Sequence, residues 1–222
     1  MDDILSIILS DLSVSDLLNV RLSSKYYNTY VCSKLIKKCT IKLKSKNIDK
    51  VCLLNNGIGI NKFYYDLNLC NNTKITDESV KCLINLTSLD LYRNNTITDE
   101  SVKCLTNLSS LNLESNNIIT DESVKCLTNV TSLNLCNNNK ITDESIKCLT
   151  NLSSLNLCDN NTITDESVKC LTNLTSLNLC YNNTITYECV KCLTNLTSLN
   201  LCDNDKITDE SVKCLSNVKV IR

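Results

Sequence analysis

Apolar residues recur at a fixed interval over most of this 222-residue chain. Each copy of the pattern contains two alternating leucines, such as Leu177 and Leu179, and this alternation predicts a short strand with both leucines inward. A stretch with helical spacing follows the isoleucine of each copy, for example at residues 164–171. Seven leucines spaced by 22 residues mark the copies: Leu67, Leu89, Leu111, Leu133, Leu155, Leu177 and Leu199.

The helical stretch carries its own start signals. Thr164 can cap the helix, and Asp165 and Glu166 lie where the positive end of the helix dipole favours carboxylates. The few apolar side chains of one copy do not offset the entropy lost when the copy becomes ordered, so an isolated copy should not fold. Neighbouring copies must therefore stack, pair their strands and share one core.

The consensus sequence of the repeat is Leu-x-x-Leu-x-Leu-x-x-Asn-x-Ile, and seven successive copies occupy residues 64–217. This consensus resembles the leucine-rich repeat. The resemblance implies an α/β solenoid with 22-residue repeats, a parallel concave sheet and short convex helices. In that family the asparagine of each copy bonds to backbone groups of the neighbouring turn. The matching residues, expected to form a buried amide ladder, are Asn72, Asn94, Asn116, Asn138, Asn160, Asn182 and Asn204.

Both ends of the predicted solenoid are irregular. Ile41 and Leu43 alternate as in the other copies and predict a first strand in an irregular leading repeat at residues 41–63. At the other end, Val218 and Ile221 fall on the leucine positions of a further copy. We therefore expect a truncated strand there, without a polar cap.

Residues 1–40 precede the solenoid at residues 41–222 and differ from it in pattern. Apolar spacing predicts three short helices, which would either bind a partner or only cap the exposed first repeat. The sequence of these helices resembles the F-box motif. It lacks the leading Leu-Pro of the motif, and Tyr26 or Tyr27 stands in place of the usual tryptophan. The F-box family uses these helices to dock on the Skp-type adaptor of cullin–RING ubiquitin ligases. The positions that match its contacts are Ile4, Leu5, Ile8, Leu9, Leu12, Leu17 and Lys25.

Composition limits the possible partners and the compartment. The net charge of −1 conceals ten Lys or Arg against five Asp in residues 1–65, a local charge of +5. These lysines are spaced singly and indicate a solvated surface, so we expect neither nucleic acid nor membrane as a partner. The first residues do not resemble a signal peptide and no apolar run is long enough for a membrane span, which predicts an intracellular protein. An F-box followed by leucine-rich repeats, in a chain rich in residues with AT-rich codons, resembles proteins encoded by mimivirus-like giant viruses, which implies the host cytoplasm.

Most of the sixteen cysteines fall into two rows created by the repeat, and we expect all of them to be free thiols. The row on the helical stretch, expected to be half-buried, is Cys82, Cys104, Cys126, Cys148, Cys170, Cys192 and Cys214. The row after the strands, expected on the concave surface, is Cys136, Cys158, Cys180 and Cys202. The chain has no His, and a flat row of thiols is a poor source of tetrahedral geometry. We therefore predict no metal and no cofactor.

The residues that enzymes commonly use are missing. The absence of His removes the usual general base, and the two glycines, Gly57 and Gly59, do not form a phosphate-binding loop. Paired carboxylates such as Asp99 and Glu100 repeat in nearly every copy, on the side expected to face solvent. A feature that repeats in this way belongs to the scaffold, so we predict a protein-interaction scaffold and not an enzyme.

The early copies break an otherwise monotonous concave surface of Ser, Asn and Cys. They introduce Asp90, Tyr92 and Arg93 in one copy and Glu114 in the next. An aromatic ring with charges of both signs is typical of interface hot spots, although neutral drift between copies would also produce it. We predict that these residues bind an unknown target protein, and that the chain is the substrate-recognition subunit of a cullin–RING (SCF-type) ubiquitin ligase. The alternative is a stand-alone leucine-rich-repeat binding protein whose N-terminal helices only cap the solenoid.

Overall fold

The computed structural model describes residues 40–43, 64–81, 83–213, 215 and 217–222. Within these residues nine strands form one parallel sheet in chain order, so each copy pairs with the copies before and after it. The predicted parallel solenoid is therefore confirmed. The strands are β1 (Thr40–Leu43), β2 (Tyr64–Asn68), β3 (Leu86–Asp90), β4 (Ser110–Asn112), β5 (Ser132–Asn134), β6 (Ser154–Asn156), β7 (Ser176–Asn178), β8 (Ser198–Asn200) and β9 (Lys219–Ile221).

One short helix follows each strand from β2 to β8, and these helices line the convex side of the solenoid. Each has four residues, little more than one turn, as the repeat length predicts. The helices are α1 (Asp77–Val80), α2 (Asp99–Val102), α3 (Asp121–Val124), α4 (Asp143–Ile146), α5 (Asp165–Val168), α6 (Tyr187–Val190) and α7 (Asp209–Val212).

The inward leucines determine how the strands pair. Leu133 pairs with Leu155 across β5 and β6, so identical positions of successive copies lie side by side. Leu177 in β7 and Leu179 directly after it are 1% and 0% exposed, as the alternation predicts. The aligned leucines, isoleucines and valines of successive copies form one continuous core.

Thr164 caps α5 as predicted. Its hydroxyl oxygen accepts a hydrogen bond from the backbone N–H of Glu166 at 3.3 Å, and its own backbone is extended. Asp165 and Glu166 occupy the first turn, where unpaired N–H groups favour carboxylates. A helix this short is not stable in isolation, so the burial of Val168 against neighbouring copies stabilises it.

The predicted asparagine ladder is present. Asn116 is typical, because its Nδ2 donates to the carbonyl oxygens of Leu91 and Asn94 in the preceding copy at 3.1 and 2.9 Å. Its Oδ1 accepts hydrogen bonds from two backbone N–H groups of its own turn. Asn72 is only half-buried, and the described contacts of its side chain lie within its own turn, since most of the copy before it lies outside the described residues. The asparagine ladder comprises Asn94, Asn116, Asn138, Asn160, Asn182 and Asn204.

The last strand is shifted by one residue from the predicted register. β9 pairs Val220, and not Ile221, with Leu199. Val220 packs against the core whereas Ile221 is 40% exposed, so the prediction that Ile221 takes a leucine position is wrong. The shifted register also brings the side chain of Arg222 over the preceding copy.

Arg222 supplies polar contacts at this end of the sheet. Its guanidinium donates to the carbonyl oxygens of Asn204 and Ile207 at 3.5 and 2.8 Å, and its Nε lies 2.7 Å from the carboxylate of Asp209. In earlier copies the equivalent carbonyl groups accept from the next asparagine of the ladder and from a threonine, for example Thr184. Arg222 thus takes the place of these donors for the last described copy.

The N-terminal predictions fall largely outside the described residues. These are the three helices within residues 1–40 and the adaptor-contact positions from Ile4 to Lys25. The strand predicted at Ile41 and Leu43 is present as β1, which pairs with β2. Across the described part of the chain no helix has the length and apolar character needed to cross a membrane.

Candidate protein-interaction surface

The concave face is built from the side chains that alternate with the inward leucines. In β6, Ser154 and Asn156 flank the inward Leu155, and Cys158 follows the inward Leu157. The two leucines are buried, whereas Ser154, Asn156 and Cys158 are half-buried. Parallel strands about 4.8 Å apart align these three positions of successive copies into three columns.

Asp90 lies on this face between two neighbouring strands. Its carboxylate accepts hydrogen bonds from Nδ2 of Asn68 on β2 at 2.8 Å and from Nδ2 of Asn112 on β4 at 3.0 Å. It also accepts from the backbone N–H of Tyr92 at 3.0 Å. Asp90 therefore joins three copies, and its charge is already paired with donors of the same chain.

The other three target-binding candidates lie beside Asp90. The guanidinium carbon of Arg93 is 5.0 Å from the centroid of the Tyr92 ring, a cation–π distance. The backbone N–H of Arg93 donates to the carbonyl oxygen of Glu114 at 3.2 Å, and the Glu114 carboxylate accepts from Nδ2 of Asn134 at 3.0 Å. The structure thus brings all four residues together, with an aromatic ring and charges of both signs on adjacent copies.

The strands of the later copies present a different, uncharged set of groups on the same face. Oδ1 of Asn178 accepts from the backbone N–H of Cys180 at 3.0 Å, and Asn156 and Asn200 make the same turn contact. Within the described residues no acceptor lies within hydrogen-bond distance of the Nδ2 of these three asparagines. The early copies satisfy their donors internally through carboxylates, whereas the late copies leave amide donors available.

The inner cysteines, Cys136, Cys158, Cys180 and Cys202, are half-buried free thiols on the concave face. Burial raises the pKa of the Cys136 and Cys158 thiols, and raises that of Cys180 to about 11. A raised pKa favours the protonated thiol, which is a poor metal ligand. Among the described residues no three Cys, Asp or Glu side chains are placed to hold a metal ion.

The outer cysteines, Cys104, Cys126, Cys148, Cys170 and Cys192, are exposed on the helical side. The prediction that they are half-buried spacers is wrong. The thiol of Cys148, for example, donates to the carbonyl oxygen of Glu144 one turn earlier at 3.5 Å. Their side chains therefore lie along their own helix and do not insert between neighbouring helices.

A second inter-copy ladder was not predicted from the sequence. The carboxylate of Asp99 accepts hydrogen bonds from the backbone N–H and hydroxyl of Thr120 at 3.0 and 2.6 Å, and from the hydroxyl of Ser123 at 2.5 Å. These aspartates are half-buried and join each helix to the next, so they do not simply face solvent as expected. We name this set the aspartate ladder. It comprises Asp77, Asp99, Asp121, Asp143 and Asp165.

The hydrogen bonds of the aspartate ladder affect the acidity of its first member. Burial acts to raise the pKa of Asp77, but the hydrogen bonds from Ser101 and Thr98 outweigh that effect. The pKa of Asp77 is therefore held below its usual value, because the donors favour the charged carboxylate.

The aspartate ladder ends at Tyr187, which occupies the position of aspartate in earlier copies. The hydroxyl groups of Thr208 and Ser211, which would otherwise bond to that aspartate, lie 3.0 Å from each other. No residue of α7 is buried, whereas Val168 of α5 is 0% exposed. The last copy is therefore attached through fewer contacts than the copies before it.

The stacked copies, the two ladders and the three-column concave face define a repeat solenoid of the protein-interaction type. The model of the family described as Leucine Rich repeat matches this chain in six overlapping segments, and the chain belongs to that family. Solenoids of this kind are typically binding scaffolds without catalytic activity. The matched segments are residues 83–106, 105–127, 126–150, 148–172, 170–193 and 192–216.

Solved structures share the fold. A chain of the yeast Rad7–Elc1 complex aligns with a TM-score of 0.61 and 20% identity over 82% of this chain and 53% of that chain. The internalin InlF of Listeria monocytogenes aligns with a TM-score of 0.52 and 28% identity over 73% of this chain and 54% of that chain. A chain of the Drosophila Toll–Spätzle complex has a TM-score of 0.52 and 18% identity, over 71% of this chain and 22% of that chain. The chain thus spans about half the length of the first two structures. Comparison with curated protein sequences finds no match.

Proposed function

We propose that this protein is the substrate-recognition subunit of a cullin–RING ubiquitin ligase. Residues 1–40 form an F-box-like segment that binds a Skp-type adaptor, and the solenoid at residues 41–222 holds the target protein for ubiquitination. The many residues with AT-rich codons, together with the F-box and leucine-rich-repeat resemblances, support a source similar to the mimivirus-like giant viruses. The complex would then act in the cytoplasm of the host cell.

The observation that carries the target-binding half of the proposal is the cluster on β3 and the following copies. Asp90, Tyr92, Arg93 and Glu114 present an aromatic ring and both signs of charge within adjacent copies of a continuous sheet. Clusters of this kind dominate the energetics of protein interfaces. Two of the structures with the same fold, Rad7–Elc1 and Toll–Spätzle, were determined as complexes with a second protein.

The adaptor-binding half rests on the F-box resemblance of residues 1–40. The contact positions recur with helical spacing, which is what an apolar docking surface requires. The competing function is a stand-alone binding protein whose first helices only cap the solenoid. β1 is the first strand of the described sheet, so helices directly before it would be well placed to cover the end of the core.

Binding of a purified Skp-type adaptor to the full chain separates these two functions. The informative variant is Ile8→Asp, which introduces a charge into the predicted apolar contact. The matched control is Ile84→Asp, because Ile84 is 42% exposed on the solenoid and should tolerate the same change. Adaptor binding by the wild type and by Ile84→Asp, but not by Ile8→Asp, supports the ligase function. If the wild type does not bind the adaptor, the capping function stands.

A further inference from the structure

Tyr181 is an exposed aromatic residue on the rim of the concave face. Its side chain is 55% exposed, and its backbone has a left-handed φ of 52°. The equivalent residues of the neighbouring copies are Asp159 and Asp203, with φ of 50° and 51°. The backbone N–H groups of Asp159 and Tyr181 donate to the carbonyl oxygens of Cys180 and Cys202, so the three side chains lie side by side in the turns of consecutive copies. Tyr181 is therefore placed between two carboxylates, each about one strand spacing away.

The two carboxylates beside Tyr181 are not balanced by an ion pair among the described residues. The neighbouring carboxylate of Asp203 raises the pKa of Tyr181. Within the described part of the chain neither Asp159 nor Asp203 takes part in an ion pair. From β2 to β8 the face and its rim carry five carboxylates but only one cation, Arg93. The carboxylates belong to Asp66, Asp90, Glu114, Asp159 and Asp203.

The same molecule shows how this face accommodates a cation. Arg93 holds the position of Tyr181 four copies earlier, and its guanidinium lies 5.0 Å from the centroid of the ring of the preceding residue, Tyr92. Carboxylates also belong to that cluster, because Asp90 accepts from the backbone N–H of Tyr92 and Glu114 lies in the next copy. Tyr181 has the ring and the two carboxylates but, among the described residues, no cation over the ring. The Tyr92 ring therefore has a cation from its own chain, whereas a cation for the Tyr181 ring would have to come from a partner.

We propose that Tyr181, Asp159 and Asp203 bind an arginine side chain of the target protein. A planar guanidinium stacks on a tyrosine ring and pairs with carboxylates in a way that an ammonium group does not. The proposal rests on the proposed function in one respect, namely that the solenoid holds a target protein. It adds a second binding position on the concave face, four copies from Tyr92, and specifies the chemistry of the residue that occupies it.

The test uses the full chain and a short glycine–serine peptide with one central arginine. Amide signals in nuclear magnetic resonance spectra report where the peptide binds, and they suit the weak affinity expected of a single contact. The control peptide carries citrulline, which keeps the shape of arginine without its charge. The informative variant is Tyr181→Asn, because asparagine occupies this position in two other copies, at Asn71 and Asn137. Asp205→Asn is the matched charge control, since Asp205 is exposed two residues beyond Asp203.

We expect the arginine peptide to shift the signals of Asp159, Tyr181 and Asp203, with affinity reduced about threefold in Tyr181→Asn. Added salt should weaken binding, while Asp205→Asn should leave it nearly unchanged. Equal binding of the citrulline peptide, unchanged affinity in Tyr181→Asn, or shifts confined to other copies would overturn the proposal. If the peptide fails to bind while the adaptor still binds the chain, this inference fails and the proposed function stands. If the peptide binds while the adaptor does not, this inference stands and the proposed function in a ubiquitin ligase fails.

Discussion

The side-chain amide of Asn138 donates a hydrogen bond to the carbonyl oxygen of Leu113, which belongs to the preceding copy, at 3.0 Å. The same Nδ2 donates to the carbonyl oxygen of Asn116 at 2.8 Å. Its Oδ1 accepts from the backbone N–H groups of Lys140 and Ile141 at 3.0 and 3.1 Å. One side chain with 0% exposure thus satisfies backbone groups in two consecutive copies.

Replacement of this residue by Asn138→Ala should lower the free energy of unfolding by about 3 kcal/mol, because several backbone groups lose their partners in a buried site. Urea denaturation followed by circular dichroism measures the change. The matched control is Asn139→Ala, since Asn139 is exposed next to it. The control should change the unfolding free energy by no more than about 0.5 kcal/mol. Equal effects of the two substitutions would contradict the role assigned to the asparagine ladder.

The aspartate ladder makes a separate contribution to stability. Asp121→Ala removes the acceptor for the backbone N–H and hydroxyl of Thr142 and for the hydroxyl of Ser145. We expect a loss of about 2 kcal/mol in the free energy of unfolding, because hydrogen bonds to a charged acceptor are stronger than neutral ones. Glu122→Ala is the control in the same urea experiment, since Glu122 lies in the same helical turn but is exposed. A loss in the control as large as in Asp121→Ala would show that only the helix dipole is involved.

The two ladders show what the sequence could and could not predict. The asparagine ladder was predictable because Asn116 and its equivalents belong to a known repeat pattern, and a buried amide has few alternatives to bonding the backbone. The aspartate ladder was not, because Asp99 bonds to Thr120 and Ser123, which are 21 and 24 residues away in the next copy. Periodicity identifies positions within one copy, whereas these contacts depend on how two copies are stacked.

The same reasoning explains the corrections to the last strand and to the outer cysteines. A short alternating segment is compatible with either register, and only the contacts of Arg222 and the burial of Val220 distinguish them. For the outer cysteines, helical spacing predicts that Cys148 lies on the flank of its turn. The spacing does not predict how far the next copy covers that flank. The target-binding candidates, in contrast, are brought together by the structure because Tyr92 and Glu114 occupy the same position of adjacent copies.

Thiol reactivity should separate the cysteines by position. Cys148 is exposed, Cys180 is half-buried with a pKa raised by burial to about 11, and burial raises the pKa of Cys189 to about 12. Alkylation requires the thiolate, so a raised pKa lowers the reactive fraction at about pH 8 and shifts the reaction to higher pH. We therefore expect iodoacetamide to modify Cys148 first, Cys180 later and Cys189 last, as followed by mass spectrometry.

Alkylation of the denatured chain provides the control for this order. Without the fold, the three cysteines should react at similar rates, and every one of the sixteen thiols should become modified without prior reduction. Faster alkylation of Cys189 than of Cys148 in the native protein would contradict the burial described here.

Tyr181 should carry a cost in stability that is separate from its proposed role in binding. Its φ of 52° lies in the left-handed region, which costs a residue with a large side chain about 1 kcal/mol more than asparagine. Tyr181→Asn should therefore raise the free energy of unfolding by about 0.5–1 kcal/mol in urea denaturation. Tyr181→Phe keeps both the ring and the backbone geometry, so it should show no such gain. A destabilised Tyr181→Asn would mean that the exposed ring stabilises the fold.

The position of Tyr92 and Arg93 determines what their replacement should do to target binding. Asp90 accepts from the backbone N–H of Tyr92 and from two asparagine side chains, so its contacts do not depend on the Tyr92 ring. The double change Tyr92→Cys and Arg93→Asn introduces the residues found at these positions in other copies, such as Cys136 and Asn137. The fold should therefore be retained while the aromatic and cationic groups are lost.

The double variant should reduce target capture from host lysate by about thirtyfold, the effect of losing a hot-spot contribution of about 2 kcal/mol. Capture is measured by quantitative mass spectrometry of proteins that co-purify with the full chain. The control replaces Cys136 and Asn137 by serine, because these residues hold the same two positions in a monotonous copy and their loss should leave capture nearly unchanged. If the Tyr92 and Arg93 variant captures the target as well as the wild type does, the early copies differ only through neutral drift. The recognition surface then lies elsewhere on the concave face.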